Sequence, residues 1–464
     1  MSINNNNETK NMTETNESYE DLLYSALYGE CEFPEVFDDY YDEPEEICKP
    51  EEIDETEENI QEIEEDFRNG EFIFAKDVKR SLDDRITRLN NNVLVVGASG
   101  CGKSTSFVEP NLITAKGNYV VSDPKGTLYK KYSEYLKNKG YQVLKIDFQH
   151  PENSSHWNPL TEVKSTQDIM KMANSVVYDK EEKNHRSDPF WDRTASLLIC
   201  AIIGYMYETN YKPYNFSSIL QLVREGERKT SNHNSSELAE RFRKLHLKNP
   251  DSWAYKQFKS VNQAPEKTYD TILTTLVSKF ANYNTEEIEK MMSGNDFNFS
   301  DIAHKKTALF VIQSDCDRSM DGLVNMFFAQ AINAFIKCAD TYENGRLPIP
   351  VRFFLDDYGA TTNIYNLDEI ISTIRSRNIS VSIILQSESQ LMTNERGTDT
   401  TIISNCDTYI YMGSNDVYTA RAVSYRCNKP LEKILYMPVN HCWIFSRGQK
   451  PIYTEMSERP DLSY

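Results

Sequence analysis

Hydrophobic positions along this chain fall into two kinds of spacing. Short, mostly unbroken apolar runs rich in Val and Ile stand at 93–96, 118–122, 141–148, 308–313, 351–355, 380–385, 408–412 and 441–445. Runs of that length without alternation predict strands covered on both faces. Helical spacing lies between them. Residues 127–138 form a polar helix-period stretch, and 321–342 a long apolar one with Leu323, Phe327, Ala331, Phe335 and Cys338 along one stripe. A shorter helical stretch, 368–376, precedes the strand at 380–385. From about 165 to 300 every pattern is helical: 167–177, 190–209, 217–224, 237–246, 252–261 and 269–281. Strand, loop, helix and strand in alternation are the signature of a doubly wound parallel sheet. The expectation is an α/β domain in two parts, 71–164 and 301–464, with an all-helical domain of residues 165–300 inserted between them.

Charge changes the picture at one end. The 464 residues carry a net −20, which by itself argues against a nucleic-acid partner. Residues 1–70, however, hold 24 Asp/Glu against three Lys/Arg, so that this stretch carries −21 and the remainder is close to neutral at +1. With so little apolar surface and so much like charge, 1–70 is expected to be a disordered acidic tail with one short helix near 18–28. Its isolated aromatics, Tyr19, Phe33, Phe37, Tyr40 and Tyr41, leave two readings open. One is a solubilising tail; the other is an acidic arm that docks on a basic partner.

The start of the chain shows no apolar signal segment, and the longest greasy run, 195–207, is 13 residues, too short to span a bilayer. A soluble, cytoplasmic chain is expected. The nine cysteines show no zinc spacing and no C-x-x-C pair, as in reduced proteins.

The chemistry concentrates after the first strand. Val93–Val96 runs into Gly97, Ala98, Ser99, Gly100, Cys101, Gly102, Lys103, Ser104 and Thr105, the complete Gly-x-x-x-x-Gly-Lys-Ser phosphate loop. The glycines let main-chain N–H groups wrap a phosphate chain. Lys103 then reaches the β- and γ-phosphates, Ser104 ligates Mg²⁺, and the following helix offers its N-terminus to the anion. A second site is the strand 351–355 ending in Asp356 and Asp357. In such ATPases the first acid serves the Mg²⁺ ion and the next polarises the attacking water. Gln386 ends the strand 380–385 and is placed to sense the γ-phosphate or the water. Arg375 and Arg377 stand just ahead of that strand, where an arginine can act as a finger toward a neighbouring subunit's nucleotide. A basic group in the helical region, Arg224, Arg228, Lys229, Arg241, Arg243, Lys244 and Lys248, is a candidate for phosphate-backbone contact or an ordinary solvated face.

The blocks NNVLVVGASGCGKST, YVVSDPKG, WNPL, DPFWDRTASLL, KKTALFVIQSDCDRSMDGLVNMFF, GRLPIPVRFFLDDYGA, IISTIRSRNISVSIILQSESQL and IISNCDTYIYMGSND occur in this order. Together they resemble the TraG/TraD-like type IV coupling proteins, conjugative-transfer ATPases that hand a relaxase–DNA complex to a type IV secretion channel. The resemblance runs from about residue 75 to 445. It implies a RecA-like nucleotide-binding domain, an inserted all-helical domain, and a ring-shaped homohexamer related to FtsK/HerA-type DNA pumps. It also implies ATP and Mg²⁺ as cofactors and DNA-stimulated hydrolysis. Single-stranded DNA, the relaxase or relaxosome and secretion-channel components are the implied partners. Catalytic roles would fall on Lys103, Asp357, Arg375 and Gln386, and the Mg²⁺ acid on Asp356. The chain departs from the family twice. It writes Asp356-Asp357 where Asp-Glu is usual, and it offers an acidic tail where membrane-spanning helices are usual. The first departure keeps open a slowly or non-hydrolysing docking protein that recruits the relaxase. The second implies peripheral attachment at the inner face of the membrane through a separate anchoring partner.

Overall fold

A computed structural model of the chain describes residues 57–177, 189–227, 236–359, 362, 364, 366–391 and 398–462. The expected short helix near 18–28, most of the acidic tail, and Arg228 and Lys229 lie outside the described residues.

Eleven strands are described: β1 (Glu71–Ala75), β2 (Val78–Ser81), β3 (Val93–Val96), β4 (Asn118–Asp123), β5 (Gln142–Asp147), β6 (Thr307–Ile312), β7 (Val351–Leu355), β8 (Ile379–Leu385), β9 (Thr408–Tyr411), β10 (His441–Ser446) and β11 (Ile452–Glu455). β1 and β2 form an antiparallel hairpin; the other nine make one sheet in the order β11-β10-β9-β3-β8-β7-β4-β6-β5. From β9 to β5 every pairing is parallel, and β10 and β11 add on antiparallel.

The unbroken apolar runs follow from this arrangement. β3, β4, β6, β7, β8 and β9 are buried at every position, because helices or the hairpin cover both faces. On one face Phe72, Phe107, Tyr119, Phe310 and Phe354 pack together, with Tyr132 and Leu136 of the helix Thr127–Asn138. On the other lies the helix Asp321–Asp340, whose Phe335 meets Phe353 of β7 edge-on at 6.1 Å. This is the one helix among the described residues long and apolar enough to cross a membrane, but most of it is buried in the fold.

The connection from β5 to β6 carries the helical domain: Thr166–Val177, Pro189–Glu208, Phe216–Glu227, Glu237–Lys248, Trp253–Asn262, Glu266–Phe280, Glu286–Met291 and Phe299–Ile302. Its central helix, Pro189–Glu208, holds the greasy run, with Leu198, Ile199, Ile202, Ile203 and Met206 buried. Gly204 lets the helix Trp253–Asn262 come close; a β-carbon there would stand 2.9 Å from the Trp253 ring. Phe242 and Phe258 stack at 4.1 Å beside it.

Three differences from the sequence reading have physical causes. A helix spans Glu57–Arg68, within the stretch read as tail, because Ile60, Ile63 and Phe67 line one face and Phe67 is 5 % exposed. The helix expected at 368–376 is instead a single turn, Leu367–Ile370, followed by a 3₁₀ turn, Ile374–Arg377. There the hydroxyls of Ser372, Thr373 and Ser376 donate back to the carbonyls of Glu369, Ile370 and Thr373, competing with the regular ladder. The helix after the phosphate loop begins with a wide π turn, Ser104–Val108, in which the Glu109 N–H reaches the Ser104 carbonyl five residues back. Pro110 follows and has no N–H to continue a four-residue ladder.

Candidate nucleotide-binding site

In a parallel sheet the loops after the strands gather at one edge, and here β3, β8, β7 and β4 are consecutive neighbours. The phosphate loop, Gln386, Asp356-Asp357 and Asp123 therefore leave the sheet side by side.

The loop is tied to the strands flanking β3: the Gly97 N–H donates to Leu385 O (3.1 Å) and the Ala98 N–H to Gly413 O (2.8 Å). A β-carbon at Gly97 would lie 2.6 Å from Cys101 Sγ and 3.0 Å from Met412 Cβ, so any larger residue would force these neighbours to shift. Gly100 and Gly102 take φ values of +77° and +97°, which side chains rarely tolerate. Lys103 is buried, and its Nζ donates to the carbonyls of Gly97 (2.8 Å) and Ala98 (3.1 Å). The ammonium thus sits inside the loop it serves.

Ser104 Oγ donates to the Asp356 carboxylate. Asp356 is 5 % exposed, and burial first, then the Asp357 charge, push its carboxyl up to about 6 against the opposing pull of Ser104 and Lys103. A hydroxyl and a carboxylate in contact are two oxygen ligands for a hard cation. Among the described residues no group of three or more His, Cys, Asp or Glu could hold a metal alone. That donor set fits Mg²⁺, which binds through one or two protein oxygens and takes the rest from phosphates and water.

Asp357 lies one residue on, at φ +51°, its N–H donating to Asp356 Oδ1 (3.0 Å). Gln386 Nε2 donates to Asp357 Oδ1 at 3.4 Å, the long end of a hydrogen bond. The Gln386 N–H is itself held by Gln390 Oε1 at 2.7 Å. The structure thus brings Lys103, Ser104, Asp356, Asp357 and Gln386 together.

Arg375 is elsewhere. It precedes β8, whereas the phosphate loop lies beyond the far end of that strand, roughly 20 Å away at about 3.3 Å per residue. Its Nε stands 3.5 Å from Asp84 Oδ2, and Arg377 pairs with Asp340 at 2.8 Å. In the helical domain Arg241 is paired with Glu225 and Arg243 with Glu240, so that face is of mixed charge.

Residues without an assigned role in the sequence also reach this edge. Gln390 sits four residues after Gln386, a spacing that offered a signal. Gln313, at the end of β6, donates to Ser122 Oγ (2.9 Å) and Thr362 Oγ1 (3.0 Å). Lys125, inside the quoted YVVSDPKG block, pairs with Asp315 at 3.0 Å. Strand order alone brings these last two in.

The family described as type IV secretory system conjugative DNA transfer matches residues 49–429. Among curated proteins, the type IV secretion system-coupling protein VirD4 of Bartonella quintana (strain Toulouse) is 21 % identical over 353 residues, 73 % of this chain and 53 % of its own. Protein VirD4 of Agrobacterium fabrum (strain C58) is 21 % identical over 353 residues, 71 % of this chain and 48 % of its own. The chain thus spans about half the length of these relatives. Among solved structures, the bacterial conjugative coupling protein TrwBΔN70 superposes with a TM-score of 0.63 at 15 % identity, covering 86 % of this chain and 94 % of that one. TrwB in complex with ADP and Mg²⁺ gives 0.62 at 15 % identity, with 87 % and 93 % covered. The fold is thus RecA-like, with an inserted helical domain.

Proposed function

Because the chain belongs to the type IV secretory system conjugative DNA transfer family, we propose that it is an ATP-driven coupling protein. It would deliver a relaxase–single-stranded DNA complex to a secretion channel during conjugation or plasmid mobilisation. The observation that carries this reading is the contact of Ser104 with Asp356, beside Lys103 and within reach of Asp357 and Gln386.

Each residue has a task in that reaction. The phosphate loop binds the triphosphate through its N–H groups, and Lys103 exchanges the Gly97 and Ala98 carbonyls for the β- and γ-phosphates. Ser104 and Asp356 would hold Mg²⁺, which when bound would supply positive charge against that developing on the phosphates. Asp357 orients the attacking water and receives its proton, and Gln386 holds that carboxylate in line. Arg375 lies too far from its own loop, so in an assembled ring it would serve a neighbour's nucleotide. The solved neighbour TrwB is described with ADP and Mg²⁺ and with a non-hydrolysable ATP analogue, which supports nucleotide use at this loop. Stimulation by DNA, a homohexameric ring, and membrane attachment through a partner belong to the same proposal.

The test is the ATPase rate and the assembled mass of the purified protein with and without single-stranded DNA. Hydrolysis should rise with DNA, and Lys103→Ala should abolish it while leaving the far-ultraviolet circular dichroism unchanged. A Lys103→Ala protein that hydrolyses ATP at the parental rate would overturn the assignment.

A further inference from the structure

Lys125 sits on a turn that fixes everything except its side chain. The N–H groups of Lys125 (2.8 Å) and Gly126 (3.1 Å) donate to Asp123 O, and Asp123 Oδ2 accepts the Tyr129 N–H at 2.8 Å. Pro124 restricts the backbone ahead of Lys125. Gly126, at φ +67°, turns the chain after it, where a β-carbon would press on Ile312 at 3.2 Å. Between these buried neighbours the Lys125 side chain is 65 % exposed.

Two carboxylates compete for its ammonium. β4 lies between β6 and β7, so Lys125 emerges between Asp315, three residues beyond β6, and Asp357, two beyond β7. Lys125 Nζ pairs with Asp315 Oδ2 at 3.0 Å, and the charge of Asp357 acts on the same ammonium from farther off. The pair raises the Lys125 pKa and lowers that of Asp315. An exposed ion pair of this kind contributes little to stability, so giving it up costs little. A lysine, with its flexible stem and three rotating donors, suits a change of partner.

The segment that carries Asp315 has a second neighbour. Ser314, Asp317 and Ser319 line a cleft of about 750 Å³, closed on the other side by Glu287 and Ile288 of the helical domain. Whatever moves that segment also moves the carboxylate that holds Lys125.

We propose that Lys125 and Asp315 are positioning residues for hydrolysis: Asp315 holds the Lys125 ammonium away from Asp357, and release of Asp315 lets Lys125 neutralise Asp357 and stop turnover. The proposal rests on Asp357 as the water-orienting acid. It gives the helical domain a route to the nucleotide through the 314–320 segment.

The experiment is steady-state ATP hydrolysis by four full-length variants beside the parent. Asp315→Asn should lower kcat about tenfold, less than the 10²–10⁴ lost when a general base is removed outright, with KM for ATP changed less than twofold. Asp315→Glu, which keeps the pair, should stay within twofold of the parent. Lys125→Met should give kcat at or above the parental value. The double variant Asp315→Asn/Lys125→Met should recover what Asp315→Asn loses. A double variant as slow as Asp315→Asn, or a Lys125→Met protein without activity, overturns the proposal while leaving the ATPase reading intact. A parent that does not hydrolyse ATP overturns both together.

Discussion

At Asp357 the backbone is left-handed, φ +51°, a conformation that costs a residue with a β-carbon roughly 1–2 kcal/mol and that Asp and Asn tolerate best. Asp357→Asn should therefore fold and bind nucleotide while losing turnover, since an amide cannot accept the water's proton. Asp357→Glu lengthens the acid by one methylene toward Gln386, whose present contact is 3.4 Å. It should raise kcat with little change in ATP affinity, read from kcat and KM together. An Asp357→Asn protein as active as the parent would show that the base lies elsewhere. Asp356 makes a prediction about pH. Its carboxyl is raised from 3.8 to about 6, so the folded chain holds that proton more tightly than the unfolded chain does. The resulting penalty is absent below about 3.8, grows as pH rises through 6, and is complete above it, at most about 3 kcal/mol. Nucleotide-free Asp356→Asn protein should thus gain in Tm over the parent at pH 8 and gain little at pH 4. Because a protonated Asp356 cannot ligate a cation, Mg²⁺-dependent nucleotide affinity should fall below about pH 6.

Among the elements, the helix Glu57–Arg68 belongs to the folded body, with Phe67 in the same core cluster as Phe72 and Tyr119. Phe67→Ala should cost about 3 kcal/mol in denaturant unfolding. A chain starting at residue 71 should be less stable than one starting at residue 57, since it lacks Phe67. This helix was hidden in the sequence because six of its 12 residues are acidic, and composition outweighed the single apolar stripe. β3, β4, β7 and β8 were legible for the opposite reason: burial on both faces keeps most of their positions apolar, with Arg352 and the serines of β8 among the exceptions. The hairpin β1–β2, the helix Val417–Cys427 and β11 are part-exposed, and their mixed patterns matched neither period strongly. The site divides in the same way. Lys103, Ser104 and Asp356 belong to local patterns that chemistry alone makes readable. Lys125 with Asp315, and Gln313 with Ser122, lie about 190 residues apart in the chain. Only the placing of β4 beside β6 brings them together, and no local pattern encodes that.

Across the whole molecule, Lys103 and Arg375 stand at opposite ends of β8, so one chain cannot bring them to one nucleotide. If two copies do, Lys103→Ala and Arg375→Ala proteins, each inactive alone, should recover activity on mixing. Such a finger is worth roughly 10³–10⁵ in rate, so even partial recovery is measurable. No recovery in subunits shown to exchange would assign Arg375 to its contact with Asp84 alone. The β5–β6 connection has a mechanical meaning of its own. These strands are parallel neighbours, paired from Gln142 and Thr307 through Asp147 and Ile312, yet the chain between them passes through the entire helical domain. That domain hangs from the finishing end of one strand and the starting end of the next. A displacement of that domain is therefore handed to both strands at once, at opposite ends of one ladder of shared hydrogen bonds, so its position and the edge of the sheet are set together.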